Sequence, residues 1–345
     1  MMLLKEEVAG IAVKIQDVAK KAGVSISTVS RVLNGYKHVS DELKDKVTKA
    51  VEELEYRPNQ VARSLASQRT NLIGIIVPDL TNHYYSRMIS SIEEYASERN
   101  YNIVVCNIKE NLDKEVRYLN VLKEMWADGI ILMHEKVDER TKEMLKAYKI
   151  PVVLASVKID GLKVPSVNID DYHAAYDATN YLIQKGHERI GIIAGDMQDI
   201  TAGQQRYRGF IDALKGHGIK QNPLYMREGK FKIEDGYQAM DDILDNSQVK
   251  PTAIFAVSDS MAIGAMNCAI DRGYQVPDDI SIIGFDNIDL AAAVRPRLTT
   301  VNQPAEEIGR QSMKTLIALI NGKNTKKDII LDHSIVEGST CKEVK

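Results

Sequence analysis

The sequence predicts a small all-α head joined to a larger α/β body made of two doubly wound parallel-sheet lobes. Three observations carry this prediction. The chain has 345 residues, well beyond the usual length of one domain. Its first seventy residues read as helices without strands. From Leu72 onward, short apolar runs alternate with amphipathic segments of ten or more residues. Such alternation marks parallel strands covered on both faces, because each crossover between parallel strands is carried by a helix. So many β/α units exceed one comfortable sheet, so two lobes are expected.

Within the head, Ile15–Val32 fits a helix-turn-helix. Val18, Ala22, Val24, Val29 and Val32 are apolar where two helices must pack together, and Ala19 is small where they cross. Gly23 occupies the tight turn, where a positive φ is easily reached, and Ser25 can cap the second helix. With Val29, Val32 and Leu33 turned inward, Ser27 and Arg31 share the opposite face with Ser30 and Asn34. Arginine with small polar groups on an exposed helix suits a DNA major groove, where Arg can donate two bonds to guanine. A plain three-helix packing unit would share the apolar pattern, but charge favours the DNA reading. Val13–Ser40 holds five bases (Lys14, Lys20, Lys21, Arg31, Lys37) and one acid, Asp17. Residues 1–70 carry +3 and the rest −6, so a polyanion partner is expected for the head alone.

Arg57-Pro58-Asn59 closes the head, and Asn59 can cap a following segment, Gln60–Ala66. Seven residues are too few for a helix stable by itself, so this one is expected to fold only against a partner. In the body, strands are read at Leu72–Val77, Ile103–Cys106, Ile130–Met133, Val152–Ala155, Ile190–Ala194, Ala253–Val257 and Ile280–Phe285. Helical stretches between them include Tyr85–Arg99, Lys114–Met125, Ala174–Lys185, Gln205–His217 and Ser260–Arg272. The chain is expected to change lobe near Ser166–Asp170.

Several function classes drop out. No apolar stretch approaches the roughly 18 residues of a membrane span, and MMLLKEEVAG carries acids where an export signal needs base and then apolar residues. Cys106, Cys268 and Cys341 are far apart and lack metal-ligand or redox spacing, so reducing cytoplasm is the expected compartment. There is no phosphate-cradling glycine loop, nucleophile elbow, paired zinc histidines or cysteine cluster. Gly216-His217-Gly218 follows a helix and reads as its terminating turn. No catalytic residue, metal or cofactor is expected. Two lobes side by side bind ligands between the C-terminal ends of their strands, and Asp79, Ser258, Asp259 and Asp286 stand at such ends, with Arg206 after the loop behind Ile190–Ala194. A carboxylate and a guanidinium converging in a cleft can hold hydroxyls or an anionic group. Strand-end acids also commonly cap the next helix, and for Asp79 and Asp259 both readings stand.

The run from Lys14 to Gly35 strongly resembles the head of the lac/galactose repressor family of bacterial transcription regulators. So do Tyr56–Asn59, Val61–Ala66, Ile73–Asp79, Gly186-His187, Arg206–Gly209, Ser258-Asp259, Gly284–Asp286, Pro296–Thr300 and Gln303-Pro304. The resemblance covers nearly everything from Lys14 onward. It implies a periplasmic-binding-protein-like body and a helix-turn-helix DNA-binding domain at residues 13–58. A hinge helix and linker then occupy 59–70, and an effector-binding and dimerisation domain occupies 71–345. Lobe 1 is expected at about 71–168 and 300–328, and lobe 2 at about 169–299 and 329–345.

By that resemblance, Ile26, Ser27 and Arg31 read operator bases, while Ser25, Thr28, Ser30, Asn34 and His38 contact phosphates. Asn59, Ala62 and Leu65 belong to the hinge helix, with Leu65 as the apolar wedge entering the minor groove. Read without the family, Leu65 is a packing residue. Tyr85, Arg206, Ser258 and Asp286 are implied as effector contacts in the interlobe cleft. The implied partners are a double-stranded DNA operator, a second copy of the chain and a small-molecule effector, with a sugar or sugar phosphate favoured. The loop Asp196–Gln204 matches no sugar or purine member and names no ligand. Tyr101–Ile103 and Asp113–Glu115 are similar to the catabolite control branch, whose members respond to a phosphorylated carrier protein on the outside of the body. A carrier protein as co-repressor is therefore the alternative reading, and Arg206 favours the small molecule. With no apolar heptad tail at Lys345, a dimer is expected rather than a tetramer. A sugar-transport protein of the same two-lobed build would need export and would carry no DNA-binding head.

Overall fold

The structure is a computed structural model that describes residues 13–33, 39–56, 69–109, 111–133, 136, 139–159 and 161–344. It divides between Thr70 and Asn71 into two compact units. Asn34, His38, Asn59, Ala62, Leu65 and the whole Gln60–Ala66 segment lie outside the described residues.

The first unit has three helices: α1 (Ile15–Ala22), α2 (Ile26–Leu33) and α3 (Asp41–Glu53). Helix α1 ends at Gly23, which adopts a left-handed φ of 68°. Gly23 N–H then bonds the Lys20 carbonyl and Val24 N–H the Ala19 carbonyl, the paired closure that a left-handed residue permits. Ser25 accepts the Thr28 N–H at 3.1 Å and caps α2. Val18, Ala19, Val29, Val47 and Ala50 form the buried core, with Ala22, Val24 and Val32 packed around it. A third helix was needed to cover that core, and Lys21 on α1 pairs with Glu53 on α3 at 2.7 Å.

The second unit contains two six-stranded sheets. Lobe 1 uses β1 (Leu72–Val77), β2 (Asn102–Asn107), β3 (Gly129–Leu132), β4 (Val152–Ala155), β5 (Ser166–Ile169) and β11 (Asp328–Leu331), in the order β11-β5-β4-β3-β1-β2. All its pairings are parallel. On β1, alternate side chains face opposite ways, as strand geometry requires. Ile73, Ile75 and Val77 join one apolar cluster with Met88 and Ile92 of α4 (His83–Ser97) and Ile308 and Leu316 of α12 (Ala305–Ile320). Ile76 faces a second cluster with Leu119 and Leu122 of α5 (Leu112–Glu124) and Leu145 of α6 (Glu139–Ala147).

Lobe 2 uses β6 (Ile190–Ala194), β7 (Met226–Glu228), β8 (Ala253–Ala256), β9 (Ser281–Asp286), β10 (Thr299–Asn302) and β12 (Ser334–Val336), in the order β12-β10-β9-β8-β6-β7. Only the edge strand β12 runs antiparallel. Helices α7 (Asp171–Gln184), α8 (Arg206–Gly216), α9 (Ile233–Asn246) and α10 (Asp259–Asp271) complete the lobe, followed by the short α11 (Asp289–Ala293). Phe210, Phe255 and Phe285 stack through its centre with ring centroids 6.3–6.5 Å apart. Helices α9 and α10 cross closely because Gly236 and Gly264 meet each other's backbone; a Cβ on Gly264 would lie 1.9 Å from the Ile233 carbonyl oxygen.

The chain crosses between lobes three times: after β5, after β10 and after β11. The first crossing falls in the expected Ser166–Asp170 stretch. The other two boundaries shift by a few residues. Thr300–Asn302 belong to lobe 2 because β10 pairs with β9, and Ile329–Leu331 to lobe 1 because β11 pairs with β5. No described helix is long and apolar enough to cross a membrane.

Candidate functional site

On the head, burial of Val29 fixes how α2 is rotated. Ser25, Ile26, Ser27 and Arg31 are exposed together, with Ile26 46% exposed, while Thr28 and Ser30 are half-buried at the edge of that face. Ser25 Oγ lies 2.7 Å from Ser27 Oγ and 2.9 Å from Thr28 Oγ1, so the three hydroxyls are tied into one polar cluster at the start of the helix. Among the described residues Arg31 has no ion-pair partner. A free guanidinium beside hydroxyl groups and one aliphatic side chain is chemically fit to bond base edges and phosphates.

Between the lobes of the body lies a cavity of about 390 Å³, walled by loops that follow the C-terminal ends of strands. Lobe 1 contributes Asp79, Asn82, Tyr85 and Lys136; lobe 2 contributes Asp196, Arg206, Phe231, Ser260 and Asp286; Gln303 comes from a crossing segment. Three of the four sequence-predicted effector residues therefore meet here. Ser258 does not. Its hydroxyl is buried and accepts the Met261 N–H at 3.3 Å as the N-cap of α10, while Ser260, two residues on, lines the cavity. Asp79 lines the cavity and also accepts from Thr81 N–H and hydroxyl at 3.0 and 2.9 Å. Asp259 is fully buried and caps nothing: it takes the Thr300 hydroxyl and the Ile288 N–H, tying two loops together.

Arg206 is only 4% exposed. It starts α8 directly after a π-helical turn, Ile200–Gln205, a backbone form often found at functional sites. Asp199 caps that turn, accepting from Thr201 and Ala202 N–H at 2.7 and 2.9 Å. The Arg206 guanidinium lies over the Phe285 ring, 3.8 Å from its centroid. Its Nε donates to Asp171 at 2.8 Å and its Nη1 to the Val257 carbonyl at 2.7 Å, with Asp286 at 3.8 Å. Asp286, at φ 116°, accepts from Gln303 Nε2 at 2.7 Å. Gln303 Oε1 accepts the Tyr84 hydroxyl at 3.1 Å, and that hydroxyl also meets Ser156 Oγ at 2.7 Å. A continuous buried polar chain thus runs from lobe 1 into lobe 2. Burial pushes the Asp286 carboxyl up to about 7, with Arg206 acting in the opposite direction. Burial likewise raises Asp171, again against the pull of Arg206, and raises Asp259 with Asp286 adding to the effect.

Residues 14–59 match the family described as "Bacterial regulatory proteins, lacI family", and residues 70–336 match "Periplasmic binding proteins and sugar binding domain of LacI family". The chain belongs to the LacI family. Catabolite control protein A of Priestia megaterium is 40% identical over 324 residues, covering 94% of this chain and 97% of that protein. The HTH-type transcriptional repressor PurR of Pasteurella multocida is 38% identical over 320 residues, covering 92% and 95%. The crystal structure of the lac repressor dimer bound to operator and the anti-inducer ONPF superposes with a TM-score of 0.88 at 29% identity, covering 96% of this chain and all of that one. This LacI-family member is a DNA-binding transcriptional repressor of the effector-regulated kind, and its relatives are regulators rather than enzymes.

Sequence reasoning missed Lys136, Lys230, Phe231, Lys232 and Tyr84. Phe231 sits at a left-handed φ of 61° in the loop after β7, a strand of three residues that leaves no periodic signal. Gln303 stood in a matched motif, but nothing local showed that it would bridge Tyr84 and Asp286, which are far away in sequence.

Proposed function

We propose that this LacI-family regulator is a cytoplasmic homodimer that represses carbohydrate-related genes. It reads a pseudo-palindromic operator with Ile26, Ser27 and Arg31 in each major groove. Ser25, Thr28, Ser30, Asn34 and His38 hold phosphates, and Asn59, Ala62 and Leu65 act in a hinge that kinks the minor groove. Its effector is a sugar or sugar phosphate held between Tyr85, Arg206 and Asp286. The observation that carries this reading is the buried chain Ser156–Tyr84–Gln303–Asp286–Arg206, whose last four members line the cavity, because both lobes contribute to it. A ligand touching that chain meets groups whose positions depend on how the lobes sit. It can therefore favour one arrangement over the other, which is what control of DNA binding requires. The relatives include both catabolite control protein A and the repressor PurR, so their names do not favour the carrier-protein alternative over a small molecule.

The test is operator affinity of the full-length protein, with operator fragments selected from random duplex, measured with and without a panel of sugars, sugar phosphates and purines. A ligand that raises the melting temperature and also changes operator affinity supports the reading. Ligand-independent affinity, changed only by a serine-phosphorylated carrier protein, refutes it.

A further inference from the structure

All six strands of lobe 1 run parallel, so their starts lie together at one end of the lobe and their finishes at the cleft. Asn71, through which the chain enters the body, stands at the starting end, just before β1. There β4, β5 and β11 are successive neighbours, and their ladder continues into the connections that feed them. Leu154 N–H donates to the Pro165 carbonyl and Ser166 N–H to the Lys327 carbonyl, both at 2.8 Å. Those connections, 146–151, 161–165 and 321–327, hold six lysines and no acid: Lys146, Lys149, Lys163, Lys323, Lys326 and Lys327. All six are exposed, and none forms an ion pair among the described residues. Lys146 and Lys163 line one groove of about 550 Å³ together with Tyr148, Leu162 and Leu319, and Lys327 lines the adjoining hollow with the same Leu162.

This face runs against the charge of the body, which totals −6 over residues 71–345. Asp328 follows Lys327 directly but is already held by Lys158 at 3.3 Å and by the Ser166 hydroxyl at 2.9 Å. The next acids along the chain are Glu143 and Asp160, the latter outside the described residues; six lysines against these two still leave a surplus of four. The starts of β2 and β3 differ, since Arg99 and Lys123 there are offset by Glu98, Glu124 and Asp128. Lysine commonly guards an edge strand, which accounts for Lys326 and Lys327 beside β11. It does not account for the other lysines, because β4 and β5 are interior strands.

We infer that this lysine face takes the phosphate backbone of duplex DNA beside the operator, as a second and sequence-independent contact. Ammonium groups are solvated point charges that neutralise phosphates without selecting bases. The family's DNA-binding domain occupies residues 14–59, and the chain from it enters the body at this same end of lobe 1. That covalent tether raises the effective concentration of the face near operator DNA, so a contact too weak to form alone still adds affinity. The bound stretch of duplex grows longer, while the bases that are read stay the same.

The experiment titrates the full-length protein with two duplexes, the selected operator alone and the same operator with about 20 further base pairs on each side, from about 50 to about 200 mM salt. The longer duplex is expected to bind at least about fourfold tighter at the low salt, with the advantage gone at the high salt, as a slope of log affinity against log salt steeper by about 1 requires. Replacing all six lysines with Gln brings the duplexes to within about twofold of each other and leaves affinity for the short one unchanged, whereas six Arg replacements keep the advantage. Melting temperatures report folding. Two triple variants, Lys146→Gln with Lys149→Gln and Lys163→Gln, and Lys323→Gln with Lys326→Gln and Lys327→Gln, each remove part of the advantage and serve if the sixfold variant does not fold. Equal affinity of the unaltered protein for both duplexes at every salt, or an advantage that survives the Gln variants, overturns the inference and leaves operator reading by the head intact. Equal weakening on both duplexes overturns it as well, because the lysines then act through the charge of the whole protein. Loss of affinity for a serine-phosphorylated carrier protein, with the flank advantage intact, gives the face to a protein partner and overturns it too.

Discussion

Replacing Arg206 with Met should expose how much charge the core of lobe 2 carries. The guanidinium is almost wholly buried against Asp171, the Val257 carbonyl, Asp286 and the Phe285 ring. Met fills much of the volume but leaves two carboxylates buried without their cation. Breaking a buried pair in this way typically costs about 3–5 kcal/mol. The cost depends on pH. In the native protein the Asp286 carboxyl is raised to about 7, above its unfolded value. Its contribution to stability is therefore complete below about pH 4 and is lost as pH rises through about 7. Arg206 opposes that rise, so its removal moves Asp286 and Asp171 further up. Near pH 5.5 both variant and native protein hold Asp286 protonated, so there the variant forfeits the Asp171 pair but not an ionised Asp286. Near pH 8 native Asp286 ionises against Arg206, whereas the variant must ionise it unpaired or keep it protonated, at about 1.4 kcal/mol per pH unit. Urea unfolding of Arg206→Met and native protein at the two pH values measures the difference. A loss of about 3–5 kcal/mol at the higher pH and a smaller one at the lower pH is expected. A loss independent of pH would show that Arg206 does not stabilise the fold through the Asp286 carboxylate. The same reasoning bears on ligand assays, since loss of binding in an Arg206 variant must be separated from loss of fold.

Arg31→Ala should weaken operator binding by about 1–3 kcal/mol and relax base choice at one position, read by gel shift on single-base operator variants; equal weakening on random duplex would reassign Arg31 to phosphate. Leu65→Ala should leave melting of the free protein unchanged but reduce operator bending in a circular-permutation gel assay, and unchanged bending would remove the wedge. Gly203→Ala places a Cβ about 2.0 Å from the Asp196 carbonyl oxygen, so the π-turn before Arg206 must shift. A drop in melting temperature together with weaker ligand binding is expected, and a variant with native values for both would show that the turn yields without cost.

Much of the lobe architecture was legible because buried central strands are near-continuous apolar runs. β1, β4 and β6 lie where LIGIIV, VVLA and IGIIA predict them. Five strands escaped notice, each short or polar: SVNI of β5, MRE of β7, TTVN of β10, DIIL of β11 and SIV of β12. They are strands because a neighbour's backbone pairs with them, and for β5 and β11 that neighbour lies on the far side of lobe 2 in sequence. The head was more legible still, since its core repeats at helical spacing and Gly23 marks the turn. In the cleft, strand-end position pointed to Asp286 and Arg206 and family resemblance singled them out, whereas their bonds to Asp171, Val257 and Gln303 come from tertiary packing. Ser258 shows where the strand-end rule falls short. The rule finds the right loop, but the capping bond to Met261 turns that hydroxyl into the helix and leaves Ser260 on the cavity wall.

The three crossings between lobes also set an order of assembly during synthesis. The lobe 1 sheet is incomplete until β11 joins β5, and roughly 160 residues, nearly all of lobe 2, separate those two strands. At about 5–20 residues per second a ribosome takes about 8–30 s to make that stretch. Meanwhile the outer edge of β5 stays unpaired beside a growing, sticky nascent chain. The head, whose core closes within residues 15–56, has no such wait. A truncated product ending between Asn71 and Asp328 would thus carry a finished reading head on an unfinished body, able to meet DNA without the element meant to govern it.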